Sequence, residues 1–392
     1  MQDVTMSSTP RHGHLRLTIV ASSLGIGGVE GQLLNLASRL DPQRISVQVV
    51  ALKPDGLLDG EAVRRGVRLW TPRPGSGRIV VVRQVRERLI ANDVDCVLAA
   101  NPYATIMAVV ASRFLARCIP IVSAFHSVPS GIKPGLRSVA QMYLYGLALR
   151  ACSSMVYVGE RQRAEWQARG FAEGVDSVII HNGIDVDAYR MPSDPDIRGR
   201  LGWKPDDFVV GLCAGFRTEK RIDDLIESAR ALSQIGVPIR LLFVGDGVLR
   251  ADMEQRCAQA LQPGSYHFAG WQRDVASYMH ACDVMALVSS AEAFSIAVLE
   301  GMACGKALLL TAVGGAADQI EHGIHGYIVP VGQPAAIAEN LRRIHDDRLA
   351  VSMGRAGQER VAQAFPIDAM VARYADTVVD VVARDRRQAN RR

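Results

Sequence analysis

Short apolar runs rich in β-branched residues alternate along the chain with longer stretches whose apolar positions recur at helical spacing. Leu15 to Ser22 (LRLTIVAS) predicts a first buried strand, and Gly31 to Leu40 the helix after a glycine turn. Ile45 to Leu52, Val94 to Ala99, Ile119 to Phe125 and Met155 to Val158 predict further strands of the same half, which Val178 to Ile180 closes. After His181-Asn182-Gly183-Ile184-Asp185 the pattern breaks. Met191 to Pro205 carries three prolines, two aspartates and no long apolar run, the composition of a domain linker. The alternation restarts with strands at Phe208 to Ala214, Ile239 to Val244, Tyr266 to Phe268, Val284 to Leu287 and Ala307 to Leu310. Ile367 to Ala383 places Met370, Val371, Tyr374, Val378, Val379 and Val382 at helical spacing, before an arginine-rich tail read as a frayed terminus. Apolar strands separated by helices belong to parallel sheets covered on both faces. The predicted fold is therefore α/β, two doubly wound Rossmann-like domains facing across a cleft, with ligands expected beyond the carboxyl ends of the strands. The division falls at 1–187 and 188–366.

Composition narrows this further. A chain of 392 residues is more than twice the usual single-domain length of about 150, and 48% hydrophobic with 22% charged residues excludes global disorder. The net charge of +5 is too small to predict nucleic-acid binding. Its distribution says more: residues 1–185 carry 21 basic and 14 acidic side chains, and 186–392 carry 24 and 26, so the first half is the basic one. An anionic partner is expected there. The seven cysteines lack CxxC or Cys/His spacing, which argues against a disulfide framework and a metal site. The polar first ten residues leave no room for a signal peptide, and Asn101-Pro102 breaks the longest apolar stretch, Cys96 to Ala111. A soluble, cytoplasmic protein without a membrane span is the expectation.

Several clusters could carry chemistry. Leu24-Gly25-Ile26-Gly27-Gly28-Val29-Glu30-Gly31 lies between a strand and a helix, where glycines let backbone N–H groups approach an anion. It is not a dinucleotide fingerprint, because Glu30 stands where the third glycine would fall, and a plain tight turn is the other reading. His126, just past the strand Ile119 to Phe125, would project towards the cleft, as a catalytic group or as a satisfied structural histidine. Arg217, Lys220 and Arg221 follow the first strand of the second half and suit a diphosphate, against the alternative of a solvated helix start. In Ser289 to Gly305, Glu292 and Glu300 straddle a loop-to-helix transition among apolar and small residues, which suits acceptors for sugar hydroxyls. Gly314-Gly315 offers amides for a second face of the diphosphate, or a plain turn.

Read together, GGVE at 27–30, VIIHNGID at 178–185, FRTEK at 216–220, FVGDG at 243–247, HFAGWQRDV at 267–275, the glutamate pair, VGGAADQI at 313–320 and HGYIVP at 325–330 resemble the retaining, nucleotide-sugar-dependent glycosyltransferases of family 4, which have the GT-B fold. Eight weak motifs in the family's order cover almost the whole chain. The resemblance implies a donor site mainly in the second domain and an acceptor site mainly in the first, with a last helix, 367–385, packing back on the first. It implies that Glu300 contacts the nucleotide ribose, and that Glu292 lies near the transferred sugar with backbone amides of Ala293, Phe294 and Ser295. Ile296 is expected to meet the donor with them. It further implies that Lys220 meets the donor phosphates, that Gly27 and Gly28 approach them from the other domain, and that His126 stands at the sugar end. No cofactor is implied beyond the co-substrate, a UDP- or GDP-sugar.

Two positions depart from the family pattern. Gly215 stands where the family usually has arginine, and Arg217 is the nearest substitute. Asp318 stands where glutamate is more frequent. The implied reaction is retaining and metal-independent: Arg217, Lys220 and glycine-loop amides stabilise the departing diphosphate, and Glu292 supports and positions the sugar. A nucleotide-sugar 2-epimerase and a non-catalytic sugar-nucleotide-binding subunit are the alternatives. The acceptor is expected to be a saccharide, a lipid-linked saccharide or a small molecule, in polysaccharide, lipopolysaccharide or glycolipid synthesis. Leu136 to Arg150 reads first as a buried helix; docking on the inner face of the cytoplasmic membrane is its second reading.

Overall fold

A computed structural model of the chain describes residues 13–25, 27–54, 56–113, 115, 117–128 and 136–391, with side chains from 139 onward in the last segment. The polar stretch at the start of the chain and Ile26 of the first glycine cluster lie outside the described residues.

Two all-parallel sheets organise the fold. The first holds β1 (Leu15–Ala21), β2 (Ile45–Ala51), β3 (Arg68–Trp70), β4 (Cys96–Ala99), β5 (Ile121–Phe125), β6 (Ser154–Tyr157) and β7 (Ser177–Ile179), in the order β3-β2-β1-β4-β5-β6-β7. The second holds β8 (Phe208–Cys213), β9 (Ile239–Val244), β10 (Tyr266–Gly270), β11 (Val284–Leu287), β12 (Ala307–Thr311) and β13 (Gly326–Val329), in the order β10-β9-β8-β11-β12-β13. In each, the order reverses beside the first strand, β1 or β8, which is where a doubly wound sheet opens a crevice at its carboxyl edge. The central strands are buried on both faces, as their apolar runs require, except at Arg16 of β1, which is exposed. Sequence patterning missed β3, a three-residue edge strand with an exposed arginine, and did not class β13 as a strand.

Local chemistry sets the element ends. Asn101, whose pairing with Pro102 interrupts an apolar run, caps the helix Pro102–Ser112: its side chain accepts from the Ala104 amide at 2.9 Å, and the proline sits in the first turn where it lacks no needed donor. The last helix runs Ile367–Ala389. Met370, Val371, Tyr374, Val378, Val381 and Val382 bury into the core of the first sheet, although the helix follows the second sheet in sequence. The arginine tail is not frayed through Ala389, because Arg386 pairs with buried Asp95 at 3.0 Å and Arg384 with Asp176.

The chain thus crosses between the sheets twice, and the crossings are joined. The Ile184 amide donates to Phe365 O at 2.9 Å and the Ile367 amide to Ile184 O at 3.0 Å. Gly183 fits only as glycine: a Cβ there would lie 2.8 Å from Ile367 Cα and 3.0 Å from Met370 Cβ. The supposed linker Met191 to Pro205 is also less open than its composition suggests, because Ile197 and Trp203 are buried in the second sheet's core.

The helix Leu136–Leu149 overturns its first reading. Tyr145, Ala148 and Leu149 are buried, but Val139, Tyr143, Leu144 and Leu147 are 45–69% exposed and form one apolar strip at helical spacing.

Candidate active site

The residues that face the crevice come from strand-to-helix loops of both sheets. Past β8, a short turn Thr218–Lys220 presents Lys220; past β11, the loop at 288–295 presents Glu292. The Lys220 Nζ lies 2.5 Å from Glu292 Oε1, with the two side chains only 14% and 16% exposed. The backbone ties these loops together: the Ser290 amide donates to Glu219 O at 2.7 Å, and Thr311 Oγ1 donates to Ser289 O at 2.5 Å. Gly314, in the left-handed region at φ 48°, packs so closely beneath the loop that a Cβ would fall 1.9 Å from Glu292 O. The neighbouring Gly315 amide donates to Ala293 O at 2.7 Å. The second glycine pair therefore braces the Glu292 loop.

The three expected cations separate. Arg221 adopts a left-handed conformation at φ 46° before the helix Ile222–Gln234 and makes a bidentate pair with Asp224 at 2.6 and 2.9 Å, so it is spent on structure. Arg217 is 64% exposed, with Nε 3.4 Å from Glu219. Its guanidinium folds back over Gly215: Nε and Nη2 lie 3.6 and 3.7 Å from where a Cβ on that glycine would stand. Arg217 thus occupies the space beside Gly215 where the family's arginine would start.

In the loop that carries Glu292, Ala293 and Phe294 are buried, and Phe294 stacks on His181 with ring centroids 4.9 Å apart. The Phe294 side chain belongs to the apolar packing, so only its backbone can serve a ligand. Asn182 Nδ2 donates to Phe294 O at 2.9 Å, which links the crossing to the loop. The Ser295 amide, expected to face the donor, donates to Gln319 Oε1 at 3.3 Å, and Ser295 O accepts from Gln319 Nε2 at 2.6 Å. The helix Ile296–Ala303 follows, and places Glu300 in its second turn. Burial pushes the Glu300 carboxyl up from its usual range, opposed by a hydrogen bond from Tyr189 Oη to Oε1 at 2.8 Å.

The first sheet contributes three groups. Gly27 and Gly28 begin the helix Gly28–Arg39, and a Cβ on Gly28 would lie 2.8 Å from Ile296 Cδ1, so the glycine loop touches the start of the Glu300 helix. Glu30 is a site residue that the sequence reading passed over. Burial pushes its carboxyl up, against the pull of its own backbone amide and of the Arg217 charge across the crevice. His126 follows β5, and neither ring nitrogen has a hydrogen-bond partner among the described residues. Burial holds its pKa down at about 4, so the ring is neutral near pH 7. Its neighbours are fixed: Gln162 Nε2 donates to Phe125 O and Ser127 O, and Trp166 Nε1 to Ser127 O. Among the described residues, no group of three or more His, Cys, Asp or Glu is placed to hold a metal ion.

Two doubly wound domains whose carboxyl edges bring cations, two carboxylates and a glycine loop to one crevice define the GT-B architecture. The chain belongs to the group 1, family 4 glycosyltransferases: the model described as Glycosyltransferase Family 4 matches residues 26–188, and that described as Glycosyl transferases group 1 matches residues 193–360. It is 28% identical over 213 residues to N-acetyl-alpha-D-glucosaminyl L-malate synthase of Bacillus anthracis, covering 54% of this chain and 55% of that one. It is 27% identical over 283 residues to D-inositol 3-phosphate glycosyltransferase 1 of Catenulispora acidiphila, covering 67% and 68%. The first of these alignments spans little more than half of its relative. In fold it is similar to Anabaena Alr3699/HepE in complex with UDP-glucose, with a TM-score of 0.81 at 24% identity over 94% of this chain and 100% of that one.

The Gly28–Ile296 contact predicts a steric dependence. Gly28→Val should wedge the crevice open and raise the radius of gyration by about 1 Å above the ~21 Å of a compact chain this long, with Ile296→Ala in the same chain restoring it. Small-angle scattering checks this, and an unchanged profile for Gly28→Val would show the contact to be dispensable.

Proposed function

We propose that this chain transfers a glycosyl group from a UDP-sugar to a hydroxyl acceptor, with retention at the anomeric carbon and without a metal ion. The observation that carries the reading is the Lys220–Glu292 pair at the carboxyl edge of the second sheet, with Glu300 on the adjoining helix and Gly28 closing from the first sheet. A diphosphate gains negative charge as the anomeric C–O bond breaks. Lys220, Arg217 and the amides of the Gly27-Gly28 loop supply positive charge and N–H donors there, which lowers the barrier because they are oriented before the reaction. Once phosphate oxygens engage Lys220, Glu292 is released to accept from sugar hydroxyls and to offset positive charge at the anomeric carbon. Glu300 accepts from the ribose. The departing phosphate oxygen takes the acceptor proton on the face it leaves, so no side-chain nucleophile is required. His126, neutral and with two open ring nitrogens, stands at the sugar end as a hydrogen-bonding group rather than a charged acid. Contact between the domains excludes water that would otherwise hydrolyse the donor. The UDP-glucose bound to the structurally similar HepE favours uridine over guanosine as the base. The acceptor belongs to glycan or glycolipid synthesis.

Substituting the pair separates its roles. Glu292→Gln is expected to retain UDP binding and to cut transfer by about 100-fold, whereas Lys220→Ala weakens UDP binding by about tenfold or more. Calorimetry with UDP and GDP, and release of nucleotide from a panel of UDP- and GDP-sugars with crude glycan or lipid acceptors, read both. Turnover like that of the unmodified enzyme in both variants would overturn the site assignment.

We also propose that the exposed strip Val139, Tyr143, Leu144 and Leu147 rests on an anionic membrane surface, next to Arg150 on the basic half of the chain, and so reaches a lipid-held acceptor. Among the described residues no helix is long and apolar enough to cross a membrane. The protein should co-sediment with vesicles containing phosphatidylglycerol at low salt, and Tyr143→Asp should lower that binding about tenfold. Absence of binding by the unmodified protein at low salt would remove the membrane reading.

A further inference from the structure

Tyr189 lies 111 positions from Glu300 in sequence, yet among the described residues it supplies the one hydrogen bond to the Glu300 carboxyl. It ends a single 3-10 turn, Val186–Tyr189, directly after the first crossing between the sheets. Its backbone is anchored, since Tyr189 O bonds to His280 Nε2 at 2.8 Å, and its ring packs into both apolar clusters on one face of the second sheet. The phenol is therefore held at a fixed height under Glu300. Around the carboxyl stand the Tyr189 phenol and the Cys213 thiol of β8, with Cys304 just past the end of its own helix. Burial pushes all three up, so they are neutral near pH 7. The nearby cations are engaged elsewhere: Lys306 Nζ donates to His280 O at 2.8 Å, and Lys220 pairs with Glu292. Glu300 forms no ion pair among the described residues.

A desolvated carboxylate with one neutral donor and no cation is short of donors. Oε1 is partly satisfied by Tyr189, which leaves Oε2 and the second lone pair of Oε1 for incoming hydroxyls. Two neighbouring hydroxyls, as on a ribose, supply what is missing; a single hydroxyl does not. We propose that Tyr189 is a positioning residue that holds the Glu300 carboxyl turned to receive the vicinal diol of a ribonucleotide, so that selection of ribose over deoxyribose depends on the tyrosine hydroxyl. This rests on the reading of Glu300 as the ribose contact. Without the hydroxyl, the buried carboxyl protonates more readily, and a protonated acid has lost acceptor capacity that the diol needs. The affinity deficit then grows as pH falls through the raised pKa and shrinks as pH rises above it.

Calorimetric titration of UDP against 2′-deoxy-UDP, with GDP against 2′-deoxy-GDP as a second pair, tests this at pH 6 and pH 8.5. The unmodified protein should prefer the ribonucleotide about tenfold at both pH values. Tyr189→Phe, which keeps the packed ring, should reduce that preference to about twofold at pH 6 and recover part of it at pH 8.5. Glu300→Gln should show the reduced preference at both. If Tyr189→Phe keeps the full preference without new pH dependence while Glu300→Gln loses it, the role given to Tyr189 is wrong and the ribose contact stands. If the unmodified protein does not distinguish the two sugars and Glu300→Gln changes nothing, the ribose contact itself fails, and this inference with it.

Discussion

The crevice depends on one ion pair. Lys220 and Glu292 are both mostly withdrawn from water, and each charge is tolerable there because the other neutralises it. Neither can be turned away unless another charged or strongly polar group takes its place. A diphosphate is such a group for Lys220, and sugar hydroxyls are such groups for Glu292, so a nucleotide sugar would replace both halves of the pair at once. This constraint explains why the loops carrying the two residues are braced so closely. Ser290 bonds to the Lys220 turn, Thr311 bonds to Ser289, and Gly314 has no room for a side chain under Glu292. The positioning is built before any ligand arrives, which is the condition under which fixed charges lower a barrier most.

The second requirement is that the two sheets meet at this pair. The crossings at Ile184 and Phe365 run side by side and share backbone hydrogen bonds, and the last helix returns to bury Tyr374 and Val378 in the first core. Asn182, beside the first crossing, holds Phe294 O, while Tyr189, just after it, holds Glu300. The segment joining the domains therefore touches both the loop that carries Glu292 and the helix that carries Glu300.

Much of this was legible in the sequence, and the limits have physical causes. Fully buried strands such as β4 and β12 stand out because both faces demand apolar residues, whereas edge strand β3 has only three residues and one of them is an exposed arginine. The glutamate pair was visible because carboxylates are costly among apolar residues. The partner of each was not: Lys220 is 72 residues from Glu292 and Tyr189 is 111 from Glu300, and no local pattern encodes such contacts. Arg221 and Gly314 suited phosphate binding by residue type alone, and only the fold turns Arg221 to Asp224 and packs Gly314 on Glu292 O. The helix Leu136–Leu149 shows the same limit, since an apolar composition does not say which apolar face is covered. Glu30 was hidden inside a glycine motif whose interest seemed to lie in its backbone.

The central claim is that the diphosphate engages the Lys220 turn while the sugar engages the Glu292 loop. Amide hydrogen exchange measured free, with UDP and with UDP-glucose tests it most directly, because it reads each loop separately. The account predicts that UDP protects residues 215–221 and 296–301, and that UDP-glucose extends protection to 290–295. Protection confined to the loops of the first sheet, or the same pattern for both ligands with 290–295 unprotected, would contradict it.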